Sequence, residues 1–162
     1  MRIGRKQFGM VKEDDTFKSE VLDALSLIPS AHLQGLRGIY IRKLPIIQDF
    51  SDYGQEVAFY HPWFQTVNMF MFDSDVLHHE IGHHVYNSIL STDERESIWK
   101  MCPGAGSEYA DEYLSYARRP TEVFARAYDR LARLGSRLPE SSAGITTEVK
   151  KYITTVYIPS IS

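Results

Sequence analysis

Four of the six histidines fall in one short segment: His78, His79, His83 and His84. His79 and His83 belong to an HExxH motif, in which the residue after the first histidine is Glu80. On a helix, positions i and i+4 lie one above the other on the same face, so both imidazoles can reach one metal ion. Glu80 then stands at the edge of that face, where its carboxylate can contact a metal-bound water and act as general base. The pattern therefore predicts a metal site with its own base.

Zinc is the ion that the motif suits best, because two imidazoles and one further ligand leave a fourth position open for water. A third histidine ligand at position 89, with a glycine at 86, is excluded because these positions hold Ile89 and Tyr86. A carboxylate from a later helix is the alternative, and Glu122 is the best candidate because apolar residues follow it at helical spacing. An acid at that position can also simply complement the helix N-terminus. Further candidates for the third ligand are Glu108, Asp111 and Glu112.

Several elements must position these residues. Apolar spacing and stop signals predict helices over 16–28, 75–90, 93–101, 108–117 and 120–134, strands over 39–44, 57–60 and 66–72, and a last helix or strand over 148–157. The residues before the motif, Asp73, Ser74 and Asp75, are good N-cap residues for its helix. The opposite face of that helix is apolar and is expected to lie in the core through Val76, Leu77, Ile81, Val85 and Ile89.

The order of these elements predicts one α+β domain. We expect a small, mostly antiparallel twisted sheet packed on the helix that carries the HExxH motif and on the helix that carries Glu122. The length of 162 residues fits a single domain over 16–158, preceded by a flexible polar arm over 1–15.

Composition excludes some classes of partner. The formal net charge of −3 does not provide the basic surface of a nucleic-acid binder. No apolar run reaches the length of a membrane span, and no hydrophobic segment follows the basic first residues. A cytoplasmic location is therefore expected, with secretion as part of a larger protein as the alternative. Cys102 is the one cysteine, so no internal disulfide can form, and it is expected to be an inert thiol.

A family resemblance rests on two stretches of sequence. The HExxH motif is followed by Tyr116-Ala117 and then by Glu122-Val123-Phe124-Ala125. This combination resembles the glutamate-type zincin metallopeptidases (gluzincins), and is most similar to the lethal-factor and Pro-Pro-endopeptidase group and to related peptidases encoded by phages and mobile elements. The resemblance implies a zincin-like fold, His79, His83 and Glu122 as zinc ligands, and Glu80 as catalytic base.

The same resemblance implies that a tyrosine shortly before the glutamate ligand stabilises the tetrahedral intermediate. Tyr116 is the candidate for this role, and Tyr109, Tyr113 and Tyr128 are the alternatives. The implied function is that of a zinc metalloendopeptidase, which binds a peptide or protein substrate along a sheet edge. Two other functions stay open: a catalytically silent zincin-fold binding or assembly module, such as a phage structural component, and a regulatory peptidase that cleaves a repressor.

The remaining candidates receive structural interpretations. His78 and His84 cannot share the face of the helix that carries the ligands. They are expected either to contact the ligand residues without binding the metal or to lie at the surface. His61 is expected in a loop. The aromatic residues of the middle of the chain are expected to lie mostly in the core, with some lining a substrate groove; they are Tyr53, Phe59, Tyr60, Trp63, Phe64, Phe70 and Phe72.

Overall fold

The computed structural model of the protein describes residues 2–3, 8–9, 17–41, 58–102, 119–134 and 138–157. Across these ranges the chain forms one sheet and five α-helices, which confirms the expected α+β class. None of the helices in these ranges is both long enough and apolar enough to cross a membrane. The predicted helix over 108–117 lies outside the described residues.

The sheet is mixed. Its strands are β1 (Arg2–Ile3), β2 (Phe8–Gly9), β3 (Gly38–Ile41), β4 (Ala58–His61) and β5 (Thr66–Met69), in the order β2-β1-β3-β5-β4. β4 and β5 form an antiparallel hairpin in which Phe59 lies opposite Asn68. β1 pairs antiparallel with both β2 and β3, so part of the predicted arm over 1–15 extends the sheet.

Three of the four described strand pairs are antiparallel, as expected, and the exception lies at the centre of the sheet, where β3 and β5 run parallel with Ile39 opposite Val67. The hairpin turn over 62–65 is short, so β4 must occupy the antiparallel side of β5, and β3 takes the other side. The predicted strand over 66–72 also ends early, at Met69, because residues 70–71 bend towards the next helix.

The five helices are α1 (Lys18–Leu25), α2 (Ser74–His84), α3 (Thr92–Trp99), α4 (Pro120–Arg133) and α5 (Ser142–Tyr152), joined by a 3-10 turn over Ser30–Leu33 and by π-helical turns over Val85–Ile89 and Ile153–Tyr157. α2 with its π-helical turn spans nearly the whole of the predicted helix over 75–90. α5 begins six residues earlier than the predicted element over 148–157, inside a segment that resembles a polar linker. Ser141 caps it by accepting a hydrogen bond from the Gly144 N–H, and its threonine hydroxyls donate to backbone carbonyls one turn back.

The N-terminus of α2 forms as its sequence predicts. The Oδ1 atom of Asp73 accepts hydrogen bonds from the backbone N–H groups of Asp75 at 2.8 Å and Val76 at 3.1 Å. These bonds satisfy two of the N–H groups that lack partners inside the helix. The cap therefore fixes where the helix begins, and with it the direction in which the motif residues point.

The closest helix packing in the described structure joins α2 to α4. A Cβ atom on Gly82 would lie 2.9 Å from the Cα atom of Ala125, so a glycine is required for the two backbones to approach this closely. Of the five residues expected in the core, Leu77, Ile81 and Val85 are fully buried, and Val76 and Ile89 are partly buried. The apolar spacing that follows Glu122 in sequence includes Leu134, but this residue comes directly after the last residue of α4 and is 73% exposed.

Candidate metal centre

Three side chains from α2 and α4 converge on one point. The Nε2 atom of His79 lies 3.2 Å from Glu122 Oε2, and the Nε2 atom of His83 lies 3.0 Å from Glu122 Oε1. One ligand-type atom of each residue lies within 4.8 Å of the others. The structure therefore brings together the three residues that the sequence predicts as metal ligands.

Helix geometry accounts for this convergence. His79 and His83 stand one turn apart on α2, and their rings meet edge to face with centroids 4.9 Å apart. Glu122 belongs to the first turn of α4, which Pro120 opens. An acid there interacts favourably with the helix N-terminus, but Glu122 is only 5% exposed and its carboxylate is directed at both imidazoles.

The spacing of the donor atoms fits a zinc ion. A tetrahedral zinc with bonds of about 2.0–2.1 Å holds its donor atoms roughly 3.3 Å apart. The two nitrogen–oxygen distances of 3.0 and 3.2 Å are close to that separation. Two imidazoles and one carboxylate are also the ligand types of a catalytic zinc site with one open position.

The electrostatics of the centre favour an ionised glutamate. Burial alone raises the pKa of Glu122, but the hydrogen bonds and charges of His79 and His83 outweigh it and hold the pKa well below its usual range. A carboxylate that stays charged while buried is suited to bind a cation. The centre therefore contains a buried carboxylate that is charged.

Glu80 lies beside this centre in the wall of a cavity of about 250 Å³. Glu80 is 7% exposed, and the same cavity is lined by His83 and Glu122 on the helix side. The opposite wall is β4, the last strand in the described order of the sheet, through Ala58, Phe59 and Tyr60. The candidate base, two of the candidate ligands and a sheet edge thus share one cleft.

The two other histidines of the cluster are buried, which makes a surface position wrong for both. The Nε2–H of His78 donates to the Ala24 carbonyl at 2.9 Å and so joins α2 to α1. The Nε2–H of His84 donates to the Gln34 carbonyl at 2.9 Å, and its Nδ1 accepts from the Tyr60 hydroxyl at 3.0 Å. Burial lowers the pKa of His84, which keeps the imidazole neutral and able to accept this bond.

The Tyr60–His84 hydrogen bond fixes the cleft, and the sequence analysis missed it. It joins β4, one wall of the cavity, to the helix that carries the motif. Gln34 is 50 positions from His84 in sequence and contributes only a backbone carbonyl. A backbone carbonyl can belong to any residue type, so the sequence gives no sign of the bond to Gln34. Tyr60, which bonds through its side chain, is the one partner of His84 that a sequence pattern could have indicated.

Tyr128 is not available as an oxyanion donor. Its side chain is fully buried, and its hydroxyl lies 2.8 Å from the Nδ1 atom of His32, whose other nitrogen donates to the Pro139 carbonyl. The hydroxyl therefore donates to His32, and burial raises the pKa of Tyr128 well above its ordinary value. The other tyrosine candidates and the reserve ligands lie outside the described residues; they are Tyr109, Tyr113 and Tyr116, and Glu108, Asp111 and Glu112.

The aromatic residues of the hairpin are more exposed than expected. Trp63 is 88% exposed and Phe64 is 62% exposed, because the turn between β4 and β5 directs them away from the sheet. His61 ends β4 rather than lying in a loop, and its ring packs on Phe64 with centroids 4.6 Å apart. Phe59 is also exposed, Tyr60, Phe70 and Phe72 are half-buried, and Tyr53 lies outside the described residues.

Cys102 is buried, and its thiol donates to the Ile98 carbonyl at 3.3 Å. Burial raises the pKa of this thiol to about 11, so it stays protonated at neutral pH. A protonated, buried thiol is a poor nucleophile, as expected from the sequence.

No protein-family model, no curated protein and no solved structure matches the chain. The resemblance to the lethal-factor and Pro-Pro-endopeptidase group, and the activity that it implies, therefore stay predictions from the motifs.

Proposed function

We propose that the protein is a zinc-dependent metallopeptidase with a zincin-like fold, which hydrolyses peptide bonds in its substrates. The observation that carries this proposal is the convergence of His79, His83 and Glu122 beside a cavity whose wall contains Glu80. The HExxH motif thus supplies two candidate ligands and the candidate base, and Glu122, 39 positions after His83, supplies the third candidate ligand.

His79, His83 and Glu122 hold the zinc ion in this proposal. When bound, zinc acts as a Lewis acid that lowers the pKa of a coordinated water and polarises the substrate carbonyl. The three ligands come from two helices whose backbones approach closely at Gly82, and this packing positions the donor atoms.

Glu80 moves the protons. Its carboxylate takes a proton from the attacking water as the oxygen bonds to the carbonyl carbon, and then gives that proton to the nitrogen when the carbon–nitrogen bond breaks. Tyr116 is the proposed hydrogen-bond donor to the developing oxyanion. The products are a free carboxylate and a free amine.

The substrate binds in the cleft between β4 and α2 as an extended peptide. β4 ends the described order of the sheet, so its backbone is suited to pair with one more strand. Phe59 and Tyr60 supply apolar and aromatic surface to that cleft. A peptide in this position lies beside Glu80, His83 and Glu122, which line the same cavity.

The test is cleavage of a peptide library by the zinc-loaded protein, with Glu80→Gln as its control. General acid–base catalysis contributes about 10²–10⁴-fold, so we expect kcat/KM to fall by that factor in Glu80→Gln while zinc content is unchanged. Cleavage that is equal in both proteins would contradict the assigned base. Zinc binding without cleavage of any peptide would instead favour the silent binding or assembly module.

A further inference from the structure

A second cluster of ligand-type side chains lies on the same two helices. It consists of Asp75 and His78 on α2 and Asp129 on α4, and one ligand-type atom of each lies within 4.8 Å of the others. Asp75 precedes His79 by four positions, and Asp129 follows Glu122 by seven. Helix geometry therefore sets the cluster about one turn of α2 and two turns of α4 away from the first site, along the same helix contact, or roughly 6–11 Å at 1.5 Å per residue.

His78 has a buried nitrogen with an unused lone pair. The residue is 2% exposed, and its Nε2 lies 2.9 Å from the Ala24 carbonyl oxygen. A carbonyl oxygen can only accept, so Nε2 carries a ring proton, and in the neutral imidazole Nδ1 is the nitrogen with the free lone pair. In the part of the chain that the structure describes, no group donates to this Nδ1.

Asp129 also has a buried atom without a hydrogen-bond partner among the described residues, one of its carboxylate oxygens. The residue is 8% exposed, and its Oδ2 accepts from an Arg133 guanidinium N–H at 2.9 Å. Its Oδ1 is buried and has no hydrogen-bond partner among the described residues. The same guanidinium donates to Asp75 Oδ2 at 3.2 Å. Arg133 therefore offsets one of the two carboxylate charges and leaves the facing atoms of His78 and Asp129 without a donor.

The two buried atoms without a hydrogen-bond partner among the described residues are His78 Nδ1 and Asp129 Oδ1, and a ligand-type atom of Asp75 lies within 4.8 Å of this pair of side chains. A single water can donate to the two buried atoms but offsets no charge, whereas a cation binds all three residues. One net negative charge also remains beside Arg133. A divalent cation accepts all three lone pairs and is attracted by that negative charge, which it more than offsets, and one imidazole with two carboxylates is a ligand set that suits Zn²⁺ or Mn²⁺.

We propose that Asp75, His78 and Asp129 form a second divalent-cation site, which joins the first turn of α2 to α4. The His78 Nδ1 and Asp129 Oδ1 atoms are its buried ligands, and a carboxylate oxygen of Asp75 is its partly exposed one. This site does not depend on the proposed peptidase activity, because none of its ligands belongs to the first site.

The experiment is equilibrium dialysis of the full chain against Zn²⁺, with bound metal counted by elemental analysis. We expect two zinc ions per chain in the wild type, one in Asp129→Asn, one in Glu122→Gln, and none when both changes are combined. Asp75→Asn, at a side chain that is 42% exposed, is a milder second variant and is expected to lose the same ion. The matched control is Asp93→Asn, an acid in the first turn of α3 instead of α2, which keeps both ions.

The stoichiometries separate this site from the first one. One zinc ion in the wild type and one in Asp129→Asn would overturn the second site and leave the first intact. One ion in the wild type that is lost in Asp129→Asn but kept in Glu122→Gln would support the second site and remove the first. Circular dichroism of each variant shows that a lost ion does not reflect a lost fold.

The zinc affinity of an Arg133 variant distinguishes a cation site from an ion-pair network that only stabilises the fold. A bound cation competes with the guanidinium for the two carboxylates, so Arg133→Gln is expected to tighten zinc binding at this site several-fold. The measurement is made in Glu122→Gln, in which the first site is disabled. Zinc binding that is unchanged or weaker in Arg133→Gln would mean that the acids serve Arg133 alone, and would overturn the proposal.

Discussion

The chemistry of single side chains in this protein is set by what each polar atom faces. The sequence predicts which residues carry the metal chemistry, because the i, i+4 spacing of His79 and His83 is a local property of a helix. It does not predict that His78 and His84 are buried, because their partners are backbone carbonyls 54 and 50 positions away. Backbone acceptors have no residue type, so such bonds cannot be found in the sequence.

Glu94 gives a residue-scale prediction on pH. It accepts hydrogen bonds from the Ser91 N–H and the Ser142 hydroxyl, and Thr146 Oγ1 lies 3.1 Å from its Oε2. Partial burial opposes its ionisation, but these hydrogen bonds outweigh that effect and lower its pKa. A lowered pKa in the folded state means that Glu94 stabilises the fold above its unfolded pKa, and that this contribution disappears as pH falls through its folded pKa.

We therefore expect Glu94→Gln to lower the free energy of unfolding by about 1 kcal/mol at pH 7, a typical capping contribution. The difference from the wild type should shrink as the pH is lowered below the ordinary range of a glutamate. Urea unfolding at a series of pH values measures this difference, with the exposed acid variant Glu96→Gln as control. A difference that is constant from pH 7 to pH 3 would contradict the argument.

At the scale of elements, the helix pair α2 and α4 carries the whole candidate centre. The sequence predicts both helices nearly to their ends, because capping residues and apolar spacing agree there. It does not predict the start of α5, where Ser141 and a run of threonines resemble a polar linker. Their hydroxyls form hydrogen bonds with backbone groups of the helix itself. These bonds exist only once the backbone is helical, so the residue types alone do not predict them.

Gly82→Ala tests the helix contact. The added Cβ would meet the Ala125 backbone at 2.9 Å, so the helices must move apart. Overpacking of this kind costs about 1–3 kcal/mol, which exceeds the gain of about 1 kcal/mol from the better helix propensity of alanine. We expect a lower free energy of unfolding and weaker zinc binding, measured by chemical denaturation and by competition with a zinc indicator.

The control for this change is Thr147→Ala at an exposed position of α5. It is expected to change the free energy of unfolding by no more than about 0.5 kcal/mol and to leave zinc affinity unaltered. Zinc affinity that is equal in Gly82→Ala and in the wild type would show that the ligand geometry does not depend on this contact.

At the scale of the whole molecule, the arrangement of the sheet is what the sequence predicts least well. β3 and β5 pair in parallel although β4 lies between them in the sequence. The residues of neither strand indicate which other strand it pairs with. The hairpin of β4 and β5 joins neighbouring segments of the chain, so a sequence pattern can predict it. The position of β4 beside α2 depends on the hydrogen bond between Tyr60 and His84, which the sequence does not predict. The site is therefore more predictable than the sheet that forms its other wall.

Metal binding is expected to stabilise the whole domain, since the unfolded chain does not hold the ligands together. At a free zinc concentration 100 times the dissociation constant, one site adds about 2.7 kcal/mol, which for a chain of this size raises Tm by roughly 5–10 °C. Thermal unfolding of Asp129→Asn with and without zinc measures the first site alone. The rise should vanish when His83→Ala is added, and a rise that persists would place the ion elsewhere.

Anomalous scattering from a crystal of the zinc-loaded protein, recorded at the zinc absorption edge, tests the central claim most directly. We expect a peak about 2.0–2.2 Å from the Nε2 atoms of His79 and His83 and from a carboxylate oxygen of Glu122. The peak should be present with or without a second one near Asp129. A map with no peak at these three residues would contradict the account of the protein as a zinc metallopeptidase.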